Sequence, residues 1–536
     1  MEEETPGRLA YKWRVLISVL FGIFMIILDS TVVNVAFQTL RREFGASLAA
    51  SQWVISIYVL ALGITTPISG FLGDRFGTKR VYLFGLSLFV LGSFCCGIAP
   101  TLGVLIAARA VQGIGGGMAQ PLGPAMLYRA FPSNEIGTAL GVFGIALVVA
   151  PAMGPILGGV LVDADLWRYI FFLNLPIGII GVFLGSRFLR NEKRPIKPVF
   201  DPMGLVTAAV GFGSVLYAAS QAEVYGWTAG STLFWFGLGL ASLVAFAIIE
   251  LYVVADPLLN LRLYKNRVFL NATLVGYVAT VALFGAEFLM PIYLQAMRGR
   301  TALESGYVLL AVAIASGITT PLAGRLYDKI GPRPLVVVGF IILCVNTWQL
   351  SQLEALTPIP YIMFLLALRG IAVGMTLQTT FTTALGAVPR DLLPRGSSLQ
   401  NSTRFVVQAV SVAALATVLS STLSPATQQQ QQAMLVASEQ QTSHVQPFGV
   451  CETPGVAPAN NVPPAVQAQA PAVQQQVRTQ LDQVCAENID GFERTYRITF
   501  YAAIVALLIG AFLPGWPARW LGRGSFQGAP VAAGGH

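Results

Sequence analysis

Apolar residues run in blocks of about 20 down most of this 536-residue chain, separated by short polar or basic stretches. Wound as a helix rising 1.5 Å per residue, such a block crosses the roughly 30 Å hydrocarbon core of a bilayer. Taking each block as one helix predicts spans near 15–37, 52–72, 81–99, 103–125, 137–162, 169–186, 203–219 and 231–254. Six more follow near 268–294, 306–324, 335–352, 360–385, 397–421 and 498–514. Lipid offers no partner to a bare backbone amide, so long apolar blocks must close their hydrogen bonds within themselves, as helices. The pattern predicts an all-α polytopic membrane protein with fourteen transmembrane helices.

Two of the polar breaks are copies of each other. GITTPISGFLGDRFGTKR occupies Gly63–Arg80, and GITTPLAGRLYDKIGPRP occupies Gly317–Pro334. Each ends one span and makes the short link to the next, and internal repeats of this kind mark transporter folds. Matching the second span to the tenth starts two six-helix sets at the first and ninth spans. The expected organisation is a six-helix bundle over 1–200, two inserted helices over 201–256, and a second six-helix bundle over 257–536. Basic RFLRNEKRPIKP at 187–198 introduces the insert. A long segment at about 422–497 differs in composition, with QQQQQ at 428–432, and glutamine-rich tracts are often disordered. It reads as a solvated spacer or as a docking surface or lid. Its end, QVRTQLDQVCAENIDGFERTY, leads into the last span and could extend it as a helix.

Composition agrees with the pattern. The chain is 55% hydrophobic and 11% charged, whereas a soluble domain carries about a quarter charged residues. Its net charge of +8 is a matter of topology. With the N-terminus inside, the inner links hold 22 Lys and Arg and the outer ones eight, which places both termini in the cytoplasm. Basic residues spread in this way give no nucleic-acid surface. The first span is longer than a signal-peptide core and contains Asp29, so it is a retained helix. Cys95, Cys96 and Cys344 lie in spans as small apolar filler. Cys451 and Cys485 share the outer segment, where an oxidising compartment would permit a disulfide. The histidines are His444 and His536, outside every span, and there is no HExxH, CxxC or Gly-Lys. No metal site, P-loop or intramembrane enzyme is built from such a set.

Four charges lie where a bilayer penalises them by at least about 2.5–3.5 kcal/mol each. Asp29 on the first span and Arg109 on the fourth both fall roughly 10 Å below the outer surface, counted at 1.5 Å per residue. Glu287 on the ninth span and Arg369 on the twelfth repeat that arrangement in the second set. The pairs read either as structural ion pairs or as sites of proton or cation coupling, since a buried carboxylate exchanges its proton readily. The fifth span carries small residues at Gly137, Gly141, Ala146, Ala150, Gly154 and Gly158, a spacing that admits a close neighbour helix. Pro151 and Pro155 invite a kink there. QGIGGG at 112–117 lies in a span after no strand, and reads as helix packing.

Together these residues resemble the major facilitator superfamily, and within it the fourteen-helix drug:proton antiporters of the EmrB/QacA-like group. GFLGDRFGTKR (Gly70–Arg80) is similar to the superfamily's inter-helix signature, and Gly324–Arg333 to its degenerate second copy. LIAARAVQGIGGG (Leu105–Gly117) resembles the fourth-helix arginine motif, and APAMGPILGG (Ala150–Gly159) the antiporter motif, with Ala150 where glycine is usual. LDSTVVNVA (Leu28–Ala36) and WRYIFFLNLPIG (Trp167–Gly178) are similar to motifs of the fourteen-helix branch. The likeness spans the chain except about 422–497. It implies two six-helix bundles rocking about a central cavity lined by the first and fourth helices of each bundle. It implies a conformational latch at Asp74, Arg75, Gly77, Arg80 and Asp328, with Asp74 near the positive end of a neighbouring helix. Asp29 with Arg109 would couple protons, Glu287 with Arg369 would set charge selectivity, and Gly154, Pro155, Gly158 and Gly159 would form the antiporter motif. The expected activity is export of amphipathic or cationic compounds from a bacterial inner membrane, driven by the proton gradient without a cofactor. Export of a lipid or metabolite is the alternative. A periplasmic adaptor and an outer-membrane channel are the protein partners such an exporter could use.

Overall fold

The computed structural model describes residues 9–190, 199–422, 449–453, 461–467 and 470–515, and the side chains of 38, 48, 49, 223–225, 282–288, 302, 464 and 465 are outside that description. The glutamine tract and residues 191–198 therefore lie outside the described residues. The described chain is helical. In order it forms α1 (Tyr11–Val35), α2 (Phe37–Glu43), α3 (Leu48–Phe76), α4 (Thr78–Gly97), α5 (Leu102–Ala119), α6 (Leu122–Ala130), α7 (Ile136–Asp163), α8 (Tyr169–Phe172) and α9 (Asn174–Phe188). Then come α10 (Pro202–Tyr225), α11 (Gly230–Ile248), α12 (Arg267–Ile292), α13 (Ala302–Ile330), α14 (Pro332–Leu350), α15 (Ile359–Gly386), α16 (Leu393–Ser421), α17 (Pro464–Gln467) and α18 (Pro471–Gly510).

Among the described residues, 12 helices are long and apolar enough to cross a membrane. The expectation of fourteen counts two more, α12 and the apolar end of α18. The 40 residues of α18 form one helix about 60 Å long, twice the bilayer core, so its first half stands beyond any span.

Helix ends follow local chemistry. Thr301 and Glu304 form a capping box that starts α13, and Asp201 followed by Pro202 starts α10. The repeated stretch ends each copy on a glycine at positive φ, Gly77 (99°) and Gly331 (81°). Each amide bonds back to its helix, at Gly73 and Tyr327, so the chain turns sharply into α4 and α14.

Helices α1 and α3–α9 pack among themselves, as do α12–α16 and α18. The two groups meet along α7 against α13 and along α3 against α16, and α10 lies on both α3 and α16. The small residues of α7 serve two neighbours. A Cβ on Gly324 would stand 2.2 Å from the Gly137 carbonyl oxygen, so α7 and α13 touch backbone to backbone. Farther along, Gly154 faces Thr31 and Gly158 faces Val35 of α1, while Pro155 meets Gly306 of α13. Despite Pro151 and Pro155, α7 remains one helix from Ile136 to Asp163. The described outer segment docks on the end of α12. Val450 and Cys451 donate to the carbonyls of Ala296 and Met297 (3.0 and 2.9 Å), and Glu452 pairs with Arg298. A disulfide ties Cys451 to Cys485 on α18.

Candidate functional site

Asp29 follows three turns of apolar α1, and the hydroxyls next to it, those of Ser30 and Thr31, donate to the Ile27 and Leu28 carbonyls of their own helix. Its partners come from other helices. Arg109 Nη1 on α5 donates to Asp29 Oδ2 at 2.5 Å, while Gln112 Nε2 and Asn174 Nδ2 donate to Oδ1 at 2.8 and 2.7 Å. Arg109 also donates to Gln112 Oε1 (2.8 Å) and through Nε to the Val54 carbonyl (3.1 Å), and its guanidinium lies 4.0 Å from the centre of the Tyr58 ring. Ser93 on α4 accepts from Asn174 at 2.9 Å and donates to the Phe171 carbonyl at 2.9 Å. Both charges are 1% exposed. An arginine and two amide donors satisfy the oxygens of Asp29, and losing one partner of such a buried pair costs about 3–5 kcal/mol.

The two helices that the depth argument brought together therefore do meet at these side chains. The expected place on a cavity wall is not where Asp29 stands, because α1, α3, α4, α5 and α9 enclose it. Gln112, Asn174, Ser93 and Tyr58 escaped the sequence reading. Gln112 carried a signal, being three residues from Arg109 on the same helix face. Asn174 was one too, a lone amide inside an apolar block.

In the second group, Arg369 on α15 is buried, and its Nη1 stands 3.5 Å from Asn346 Oδ1 on α14. Glu287 lies on α12, which packs against α15, but its side chain is outside the described residues.

The repeated stretch builds the contact between the groups. Asp328 on α13 accepts from the amides of Gly137 and Thr138 at 2.7 and 2.8 Å and from the Thr138 hydroxyl at 2.7 Å. These amides open α7, so Asp328 takes free N–H groups of a helix end. Asp74 meets the first turn of α16 through a side chain, Arg395 Nε at 2.8 Å. Beside them Ser69 and Ser398 hydroxyls lie 2.9 Å apart, and Ser397 donates to the Pro121 carbonyl at 2.6 Å. Gly77 makes the turn that follows, and Arg75 and Arg80 are exposed. Arg395 was counted in the sequence only as an inner-loop charge. No metal-binding group of three or more His, Cys, Asp or Glu occurs among the described residues.

The Major Facilitator Superfamily profile matches residues 19–412. An uncharacterized MFS-type transporter, YhcA of Bacillus subtilis (strain 168), is 36% identical over 75% of this chain and 76% of its own length. The lincomycin resistance protein LmrB of the same organism is 30% identical over 78% of this chain and 88% of its own. The proton:xylose symporter XylE shares the fold at a TM-score of 0.59 and 13% identity, over 94% of this chain and 96% of that one. An all-helical chain with these spans, this repeated turn and these relatives is a multi-pass membrane transporter and no enzyme: it belongs to the major facilitator superfamily.

Proposed function

We propose that the chain is a proton-coupled antiporter of the fourteen-helix branch that exports amphipathic or cationic drugs by alternating access. The observation that carries this reading is the Asp29–Arg109 pair, enclosed among apolar helices with two amides as its other partners. Any rearrangement of α1 against α5 or α9 strips donors from Asp29 and leaves a buried carboxyl group unpaired, which ties its proton exchange to the change of state. The match to a lincomycin resistance protein supports export of a drug. In this reading the bundles are 1–200 and 257–536, the termini are cytoplasmic in a bacterial inner membrane, and the Asp74 and Asp328 contacts hold the cytoplasmic side closed. Arg369 and Glu287 set charge selectivity.

The test uses the full chain in liposomes with an imposed pH gradient, and lincomycin and ethidium as probes. Substrate addition should collapse the gradient in the wild type. Asp29→Asn should abolish gradient-driven export while binding stays within a few fold. Export by that variant at the wild-type rate removes Asp29 from proton coupling.

A further inference from the structure

Beyond the Asp29 site, a second pair of acids is buried where the inserted helices meet the gate. Glu250 lies in the π-turn Ile249–Val253 that ends α11 and is 0% exposed; Asp201 caps α10 and is 5% exposed. Asp201 Oδ1 accepts from the Gly204 amide at 2.9 Å, and Glu250 Oε1 accepts from the Leu258 amide at 3.1 Å. The other oxygen of each, Asp201 Oδ2 and Glu250 Oε2, is buried with no hydrogen-bond partner among the described residues. A Cβ on Gly204 would stand 2.1 Å from Asp201 Oδ2 and 2.9 Å from Glu250 Oε1, so the two carboxyl groups occupy one small space.

Two carboxylates so close and so dry repel each other, and a buried acceptor left bare costs about 1–3 kcal/mol, more when charged. One proton resolves both problems. It turns one group into a carboxylic acid whose O–H donates to the bare oxygen of the other, as in a carboxyl dyad. We propose that Asp201 and Glu250 bind a single shared proton, and that this site is coupled through Arg395 to the contact that closes the gate.

The coupling runs through one peptide unit. Its N–H, that of Leu258, donates to Glu250, and its carbonyl, that of Pro257, accepts from Arg395 Nη1 at 2.5 Å. Arg395, 0% exposed, also binds Asp256 Oδ1 through Nη1 (2.6 Å) and Asp74 Oδ2 through Nε (2.8 Å). A negative Glu250 polarises that peptide and strengthens its hold on the guanidinium. A proton on the pair weakens that hold and leaves Arg395 to Asp74 across the gate. The charges on elements packed here are Asp74 and the exposed Arg75 on α3, Arg395 on α16 with Arg404 farther along it beside Tyr277, Asp256 on the connector, and Arg262 and Lys265 on the turn Leu261–Lys265. Arg262 is exposed and turns to the Leu251 carbonyl at 3.2 Å, and Lys265 is exposed. Lys193, Arg194 and Lys197 precede Asp201 outside the described residues. The inserted helices thereby acquire a role as a proton-sensing clamp rather than a spacer. None of this requires Asp29 to carry the transported proton.

The experiment is infrared difference spectroscopy of the full chain in liposomes through a pH titration, with the proton as probe. The carbonyl stretch of a buried carboxylic acid should appear in the wild type and in Asp29→Asn. It should be absent in Asp201→Asn/Glu250→Gln, and its titration midpoint should shift in each single variant. Both substitutions conserve shape; should one variant fail to elute as a monodisperse species, the other single variant reads the same band. Arg395→Gln removes a positive charge that favours the ionised pair, so the midpoint should rise by about one pH unit or more, a tenfold gain in proton affinity. A band that persists unshifted in the Asp201 and Glu250 variants, or is lost in Asp29→Asn alone, overturns the site. An Arg395→Gln midpoint equal to the wild type overturns its link to the gate.

Discussion

Replacing Asp328 by asparagine should loosen the contact between α7 and α13. The carboxylate spans the two helix groups and takes three donors, two of them amides at the start of α7. A hydrogen bond to a charged group contributes about 1.5–3 kcal/mol, and a neutral one about 0.5–1.5 kcal/mol. Asparagine keeps one acceptor, loses the charge that faces the helix end, and turns an N–H toward donors. Asp328 is half-buried, so solvent screens part of the loss. The net expectation is about 1–2 kcal/mol against the closed arrangement, a factor of roughly 5–30 in the open population. A cysteine at Thr379 reports that population. Thr379 is 4% exposed and lines a small cavity with Gly137, Gly141 and Gly324 at this interface. In a background lacking Cys95, Cys96 and Cys344, maleimide labelling of Thr379→Cys should accelerate about 5- to 30-fold on adding Asp328→Asn. Thr138→Ala removes one of the three donors and leaves both amides in place, so it should accelerate labelling less than Asp328→Asn does. Labelling of Asp328→Asn within twofold of its parent would show that the contact does not hold the groups together.

Gly324→Ala should force α13 from α7, since its methyl would stand 2.2 Å from the Gly137 carbonyl oxygen, at a cost of about 1–3 kcal/mol. The same labelling assay reads it, with Gly103→Ala, whose methyl would meet nothing within 4 Å, as the inert control. Asn174→Ala leaves Asp29 one donor short and should lower stability by about 1–3 kcal/mol, seen as a lower melting temperature in detergent; an unchanged melt rejects the role given to that amide. Cys451 and Cys485 should be recovered as one cross-linked peptide when digested without reduction. Cys485→Ser should cost about 3–4 kcal/mol of loop-closure stability, read by faster hydrogen exchange over the first turns of α18. Finding both thiols free in the unreduced protein contradicts the pairing.

Much of this architecture could be read without coordinates, because lipid leaves a chain few options. Blocks of about 20 apolar residues must be helices, and the starts and ends of α3, α13 and α14 follow from Ser47, the Thr301–Glu304 box and the glycines at 77 and 331. The twice-written GITTP stretch marked equivalent turns, and the equal depths of Asp29 and Arg109 brought together two residues 80 positions apart. Beyond that pair, what the sequence left open was which partners lie across the helix interfaces. Gln112 and Asn174 complete the Asp29 shell, and neither spacing nor composition says which faces of α5 and α9 turn inward. The placement of Asp29 inside one helix group, away from an open cavity, is likewise a matter of how α1, α3, α4, α5 and α9 close around it. Asp328 and Asp74 occupy matching places in the repeat, yet one takes the bare amides that open α7 and the other an arginine on α16. A repeated motif specifies a local turn and a carboxylate at its edge; what that carboxylate meets is decided by the helix packed opposite. The same holds for Asp201 and Glu250, 49 positions apart at the two ends of a helix pair, which a side-chain-free Gly204 allows to share one buried space.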